Sequence, residues 1–336
     1  MVNAETSNGY EHNSRFKDNP TTSWWLDNMK DRSLCVKAET DVPEYADIAI
    51  VGAGMSGCSV AYHLACQSYI GSVVLLDARG VAGGASGRNG GHLTPDQASE
   101  FERETTQELL AFIEQTSTKC DLVRGGKVKL RERCEDEYDE ELVDESYQFY
   151  PAKVCESLLR VGSTQNSETT LKLVAPIYVN SIETVTHEEE EVQNVQWQRR
   201  LEDSTTRSGV LYAKKVVVCL NGWTSTLLPE FNSVFYSGRN QVIMTKPLNQ
   251  EMLKNWAKNG IGCWGKLEGE IYGILRQDNR ICIGGARALE PNKAINNSDD
   301  STLSKVVGEH LRERLKKLLD CNDDIPVEAE WTGVLV

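Results

Sequence analysis

The sequence predicts an α/β fold: a strand–helix–strand unit near the N-terminus, then a strand-rich second half built on an antiparallel sheet. Three observations carry this. Residues 46–51, ADIAIV, are an apolar run that ends at a glycine, and residues 56–68 show helical spacing. Residues 73–77, VVLLD, are a second apolar run. Strand, helix and strand fit within about 32 residues, the size of one Rossmann-like βαβ unit. From residue 171 onward, LKLVAPIYV, VQNVQWQR and GVLYAKKVVVCL alternate or run apolar between turn residues, as strands do.

The 336 residues correspond to about two domains. Thirty-six basic against fifty acidic residues leave a net charge of −14, which repels phosphate backbones and argues against a nucleic-acid partner. No apolar run approaches the ~18–20 residues of a membrane span. The opening MVNAETSNGYEHNSRFKDNP lacks the apolar core of a secretory signal. The ten cysteines (35, 58, 66, 120, 134, 155, 219, 263, 282, 321) form no CxxC pair, and several sit in apolar runs. They read as reduced thiols of an intracellular, cytoplasmic protein, and no ligand spacing points to a metal.

Residues 1–40 are polar and aperiodic, apart from Trp24-Trp25, an aromatic pair expected to dock on the parent domain. Residues 80–95 are glycine-rich and irregular, and 99–119 are expected to be helical. The acidic stretch 131–145 reads as a solvated helix face or loop. His187 to Glu191 reads as a hairpin tip, and further strands are expected at 239–245, 270–276 and 280–284. Residues 301–319 read as an amphipathic helix with Leu303, Val306, Val307, His310, Leu311, Leu315, Leu318 and Leu319 near one face.

The sharpest motif is Gly52-Ala53-Gly54-Met55-Ser56-Gly57, placed between the first strand and the helix. In that context GxGxxG is a dinucleotide fingerprint. Gly52 permits the tight turn, Gly54 lets a pyrophosphate approach, and Gly57 lets helix and strand touch. The helix N-terminus offers N–H groups to the diphosphate. Asp77 closes the second strand, where a carboxylate accepts from ribose hydroxyls and repels a 2′-phosphate. These features do not separate FAD from NAD.

Asp77-Ala78-Arg79, followed by Gly84-Ala85-Ser86-Gly87-Arg88-Asn89-Gly90-Gly91-His92, resembles the DAO-type FAD-dependent oxidoreductases. The similarity is greatest to the branch holding gamma-glutamylputrescine oxidase and fungal amine oxidoreductases. It extends through Cys120-Asp121-Leu122-Val123, Asn221-Gly222-Trp223, Gly238-Arg239-Asn240-Gln241 and Glu330-Trp331-Thr332-Gly333. The resemblance implies a flavin-binding domain in separated segments (41–120 and 171–230) with a substrate domain inserted. That domain would take a segment of 121–170, which then returns, and 231–325. Residues 1–40 would be an arm, and 326–336 would open a last flavin-domain segment.

By position, the resemblance implies that Gly52, Gly54, Met55, Ser56 and Gly57 hold the pyrophosphate and Asp77 the ribose. Ala78 and Arg79 would border the adenosine. Ala85, Ser86, Arg88, Asn89, Gly90 and Gly91 would wrap the pyrophosphate and flavin edge, with Arg88 neutralising a phosphate or flavin oxygen. Val179 would contact adenine, and Gly222, within Asn221-Gly222-Trp223, would let the chain pass the diphosphate. The implied chemistry is oxidation of an amine or amino acid: a C–H beside nitrogen delivers a hydride equivalent to FAD, and oxygen or another acceptor takes the electrons.

Tyr272 and His92 are the catalytic candidates, set against ordinary packing and loop roles. Arg239 and Arg287 are candidates for binding a substrate carboxylate bidentately. Two departures bear on activity. Where amine-oxidising relatives carry a lysine that speeds reaction with oxygen, this chain has Cys282, so oxygen is not expected to be the best acceptor. Relatives also continue past GVLV to segments that close the flavin pocket, so a truncated chain is expected to bind FAD weakly. Two alternatives stand beside the oxidoreductase: a FAD-binding or regulatory protein without turnover, and an NAD-dependent dehydrogenase.

Overall fold

A computed structural model describes residues 16–29, 41–67, 69–95, 99–134, 137–143, 145–165, 168–201, 203–256, 260–265 and 269–335. Of the N-terminal arm, 1–15 and 30–40 lie outside the described residues. The chain runs through α1 (Trp24–Asp27), β1 (Tyr45–Val51), α2 (Met55–Cys66), β2 (Gly71–Leu76), β3 (His92–Leu93), α3 (Glu100–Gln115), β4 (Val123–Arg124), β5 (Lys127–Cys134) and β6 (Glu137–Val143). It continues through β7 (Tyr147–Gln148), α4 (Pro151–Gln165), β8 (Thr169–Val174), β9 (Tyr178–His187), β10 (Glu190–Arg200), β11 (Thr206–Val218) and α5 (Thr224–Leu227). The last part is β12 (Gly238–Thr245), α6 (Gln250–Leu253), β13 (Gly260–Gly265), β14 (Gly269–Leu275), β15 (Ile281–Gly285), α7 (Lys305–Leu319) and β16 (Val327–Leu335).

The first sheet has the order β8-β2-β1-β11-β10-β9, with β8, β2, β1 and β11 parallel. Strands β1 and β2 are nearly continuous apolar runs because both of their faces are covered. Val73 and Leu75 enter one core with Ile48 and Ile50, while Val74 and Leu76 enter another with Val195 and Leu211. Helices α2 and α4 lie together on this sheet, where Gly162 comes close to the backbone of Tyr62. The second sheet, β16-β12-β15-β14-β13-β5-β6, is mostly antiparallel. Its strands alternate: Val242, Met244 and Cys282 face the core shared with α1 and β1, while Ile243, Ile281 and Ile283 face α7. A third, three-stranded sheet, β3-β7-β4, joins the two halves.

Three expectations are corrected. LKLVAPIYV is not one strand. β8 and β9 occupy opposite edges of the first sheet, and Ala175 to Ile177 carry the chain between them. The acidic stretch 131–145 is neither helix nor loop but mostly the β5–β6 hairpin, which pairs Lys127 with Val143 and Val128 with Leu142. Its high charge suits a sheet edge, where exposed charge discourages further pairing. Leu303 precedes the Ser304 cap of α7, and Val306 sits one ~100° step from the buried Val307. Both are therefore exposed rather than on the apolar face. Residues 327–335, expected to open the last flavin-domain segment, form β16, which pairs with β12 at the edge of the second sheet.

Candidate functional site

The site begins at the turn between β1 and α2. Gly52 has φ +107°, and a Cβ there would lie 2.4 Å from the carbonyl oxygen of Cys219. Gly57 lies so close to Gly52 that a Cβ would sit 1.9 Å from its carbonyl oxygen. These are the two close approaches expected of the motif. The Met55 N–H donates to Ser86 Oγ at 2.8 Å, which ties the helix N-terminus to the loop at 85–91.

Asp77 clips this turn to the end of β2. Its Oδ2 accepts from the Ala53 N–H, and its Oδ1 accepts from Arg79 and Gly80, each at 2.7 Å. Burial raises the carboxyl above the ordinary aspartate range, against the pull of those N–H groups. A carboxylate has about four acceptor positions, so capacity remains for a ribose hydroxyl.

These residues open onto a crevice of about 240 Å³. Gly52, Gly54, Met55, Ser56, Asp77, Ala78, Arg79, Ala85, Ser86, Val179, Asn221 and Trp223 all line it, as the sequence places them. Six expected residues, Gly57, Arg88, Asn89, Gly90, Gly91 and Gly222, do not. Arg88 is only 3% exposed, and its guanidinium is committed to the Thr332 carbonyl, to Thr21 and, 3.8 Å away, to Asp300. It is neither a phosphate ligand at the crevice nor a surface ion pair but a buried staple. Asn89 binds its own loop through the Ala85 and Ser86 carbonyls. Gly90 and Gly91 lie under the Tyr272 ring and against Ile274. Gly222 lets β16 approach rather than a diphosphate: a Cβ there would meet Val334 at 2.8 Å.

Sequence reading missed Phe16, Tyr178 and Asp300. Phe16 and Tyr178 line the crevice, and Asp300, fully buried, pairs bidentately with Arg79 at 2.6 and 2.9 Å. Phe16 lies in an arm with no periodicity, and no local signal marks Asp300.

The loop runs on to a second centre. The Tyr272 hydroxyl accepts from Asn240 Nδ2 at 3.3 Å, and its ring meets His92 edge-on, with centroids 5.6 Å apart. Burial drives the Tyr272 phenol upward and the His92 imidazole down to about 3, with Lys127 adding to the latter. At neutral pH both are uncharged. His92 Nε2 and, across the β3–β7 pair, Gln148 Oε1 are buried with no hydrogen-bond partner. Arg239 does not await a substrate: it is bound to Glu290 at 2.6 Å and Thr302 at 2.7 Å. Arg287 is exposed, stands over Gly238 and forms no ion pair among the described residues.

The lining of the crevice suits the adenosine diphosphate half of a dinucleotide. The glycine cradle is open where a diphosphate would rest, and Trp223 Nε1 and Arg79 Nε are buried donors without an acceptor. Buried donors in native proteins are normally paired, so these two mark a place for acceptor-rich ligand atoms. A larger depression of about 970 Å³ at the end of α7, lined by Trp256, Arg314 and Lys317 among others, has no such cradle.

The model of FAD-dependent oxidoreductases of the DAO type matches residues 47–168 and 179–336. The chain belongs to that family. FAD is therefore its cofactor, the chain is an oxidoreductase, and the NAD-dependent alternative is not better supported. Solved structures share the fold at low identity. Glycine oxidase from Bacillus cereus is 16% identical with a TM-score of 0.61, covering 86% of this chain and 84% of its own. L-proline dehydrogenase from P. horikoshii is 13% identical with a TM-score of 0.64, covering 87% and 82%. L-amino acid deaminase from Proteus vulgaris is 14% identical with a TM-score of 0.63, covering 92% and 83%. No curated protein is similar to the chain by sequence. No helix among the described residues of this flavoprotein is long and apolar enough to cross a membrane.

Proposed function

We propose that this flavoprotein oxidises the C–N bond of a small amine or amino acid. Two neighbours in fold are described as acting on glycine and on L-proline. One observation of the chain carries the reading. A single loop, 85–92, joins the cofactor crevice, lined by Ala85 and Ser86, to the closed polar centre of His92 and Tyr272. Substrate bound at that centre would therefore lie beside the flavin end of the cofactor.

The residues divide the work. The N-terminus of α2, with Gly52, Gly54, Met55, Ser56 and Gly57, takes the pyrophosphate. Asp77 takes a ribose hydroxyl, and Ala78, Arg79, Val179, Asn221 and Trp223 border the adenosine. FAD, when bound, accepts a hydride equivalent. Tyr272 stays protonated and offers a hydrogen bond to substrate. His92 stays neutral, so it orients rather than exchanges charge. Arg287 is the guanidinium left to meet a substrate carboxylate. The amine loses a hydride equivalent and a proton, and the released imine is hydrolysed to a carbonyl compound. With oxygen as acceptor the electrons leave as hydrogen peroxide. Cys282 is fully buried and its thiol is pushed up to about 12, so it brings no charge to assist oxygen.

The test is anaerobic mixing of the FAD-loaded chain with glycine, N-methylglycine, L-proline, L-phenylalanine and acylated diamines. Bleaching of the flavin absorbance by at least one is expected. If none bleaches it while dithionite does, the reading fails and a binding protein without turnover stands. Arg287→Ala is expected to raise KM for amino acids about tenfold or more with little change in KM for uncharged amines, through loss of the ion-paired hydrogen bonds.

A further inference from the structure

We propose that Phe16, delivered by the N-terminal arm, is a cofactor-binding residue that closes and stacks on the adenosine end of the crevice together with Trp223 and Arg79. This goes beyond the glycine turn and rests on FAD dependence, not on the identity of the amine.

The Phe16 ring stands edge-on to Tyr178 at 5.3 Å and to Trp223 at 5.4 Å. The Arg79 guanidinium lies over its face at 3.9 Å, within cation–π range. Five contacts hold this short segment. Arg79 donates to the Lys17 carbonyl at 2.7 Å, and Asp18 takes the Tyr178 hydroxyl and Arg200. Thr21 donates to the Asp300 carbonyl at 2.7 Å, and Arg88 holds Thr21. The ring is thus placed by Arg79, which lines the crevice, and by Asp300, which holds Arg79.

Simple packing does not account for this arrangement. A second depression of about 460 Å³ lies outside the crevice, and Phe16, Tyr178, Val179 and Thr226 line both. Phe16 therefore stands in the wall between them. The crevice alone, at about 240 Å³, is below the ~300–1,000 Å³ typical of small-molecule sites. Turning the ring aside would join the two spaces. Trp223, 7% exposed, and Arg79 each keep a buried N–H without an acceptor beside this ring. An adenosine brings a flat π face for the ring and ring-nitrogen and ribose acceptors for those donors.

The experiment measures FAD and ADP binding to the full chain by flavin fluorescence and calorimetry, for the wild type, Phe16→Ala and Phe16→Tyr. Base stacking on an aromatic side chain corresponds to about a tenfold to hundredfold change in affinity. Phe16→Ala is expected to weaken FAD and ADP by the same factor in that range and to speed FAD release. Phe16→Tyr should restore both, at unchanged melting temperature of the FAD-free protein. FAD should also slow tryptic cleavage after Lys17. Equal FAD affinity and release rate in wild type and Phe16→Ala would overturn the proposal, as would a loss for FAD without one for ADP. A wild type that binds neither nucleotide would overturn both the clamp and the crevice assignment.

Discussion

Gly57 has no space for a side chain: the carbonyl oxygen of Gly52 occupies the place of its Cβ. Gly57→Ala must push α2 off the strand turn. We expect a loss of about 1–3 kcal/mol, as for overpacking, and FAD affinity should fall with it. A denaturant titration and a FAD titration on one sample check both. His92 predicts a pH effect of definite sign. Its folded pKa of about 3 lies below the ~6.5 of the unfolded chain. Between these values the unfolded state binds the extra proton, so stability rises with pH through the window. It is lost as pH falls from ~6.5 toward 3, by at most about 1.4 kcal/mol per pH unit. His92→Gln should flatten that slope in thermal melts; an unchanged slope would show that the imidazole is not held neutral. Residue types alone already pointed to Gly52, Gly57 and Asp77, because their roles are local. They sent Arg88 to a phosphate or flavin oxygen instead, because its partners Thr332 and Asp300 lie more than 200 positions away.

Helix α7 shows how an element is decided by what covers it. Val307, Leu311, Leu315 and Leu319 form its buried stripe against Ile243, Ile271, Ile281 and Ile283. Leu311→Ala should cost about 2–5 kcal/mol, the range for buried leucines. Val306→Lys should stay within ~0.5 kcal/mol, as for other exposed positions. Helical periodicity identified the element, but not its first buried turn, because the cap at Ser304 moves the start past Leu303. The β5–β6 hairpin is the opposite case. Its charged sequence carries no strand pattern, and pairing with the neighbouring β13 overrides local preference.

At the scale of the whole molecule, one buried carboxylate ties distant segments together. Asp300 is fully buried between Arg79 and Arg88, its carbonyl accepts from Thr21 and from Thr332 Oγ1, and Thr332 lies in β16. Asp300→Asn leaves two guanidinium groups without their counter-charge. The expected cost is about 3–5 kcal/mol, with FAD affinity lowered through Arg79. Chemical denaturation followed by both tryptophan and flavin signals reads the two effects, and a normal FAD affinity would show that Arg79 needs no such support. FAD at a hundred times its Kd should stabilise the fold by about 2.7 kcal/mol, seen as a rise in Tm. That rise should shrink in Phe16→Ala at equal FAD concentration.

Reading the chain in order was enough for the βαβ unit, the glycine turn, the acid at Asp77 and the resemblance to flavin oxidoreductases. Each of these depends on residues close together, where spacing and side-chain chemistry dictate geometry. Folding alone decided that LKLVAPIYV is divided between two sheet edges, that Arg88 serves as a staple, and that Phe16 reaches the crevice. Those outcomes depend on contacts between remote segments, for which a linear pattern carries no signal.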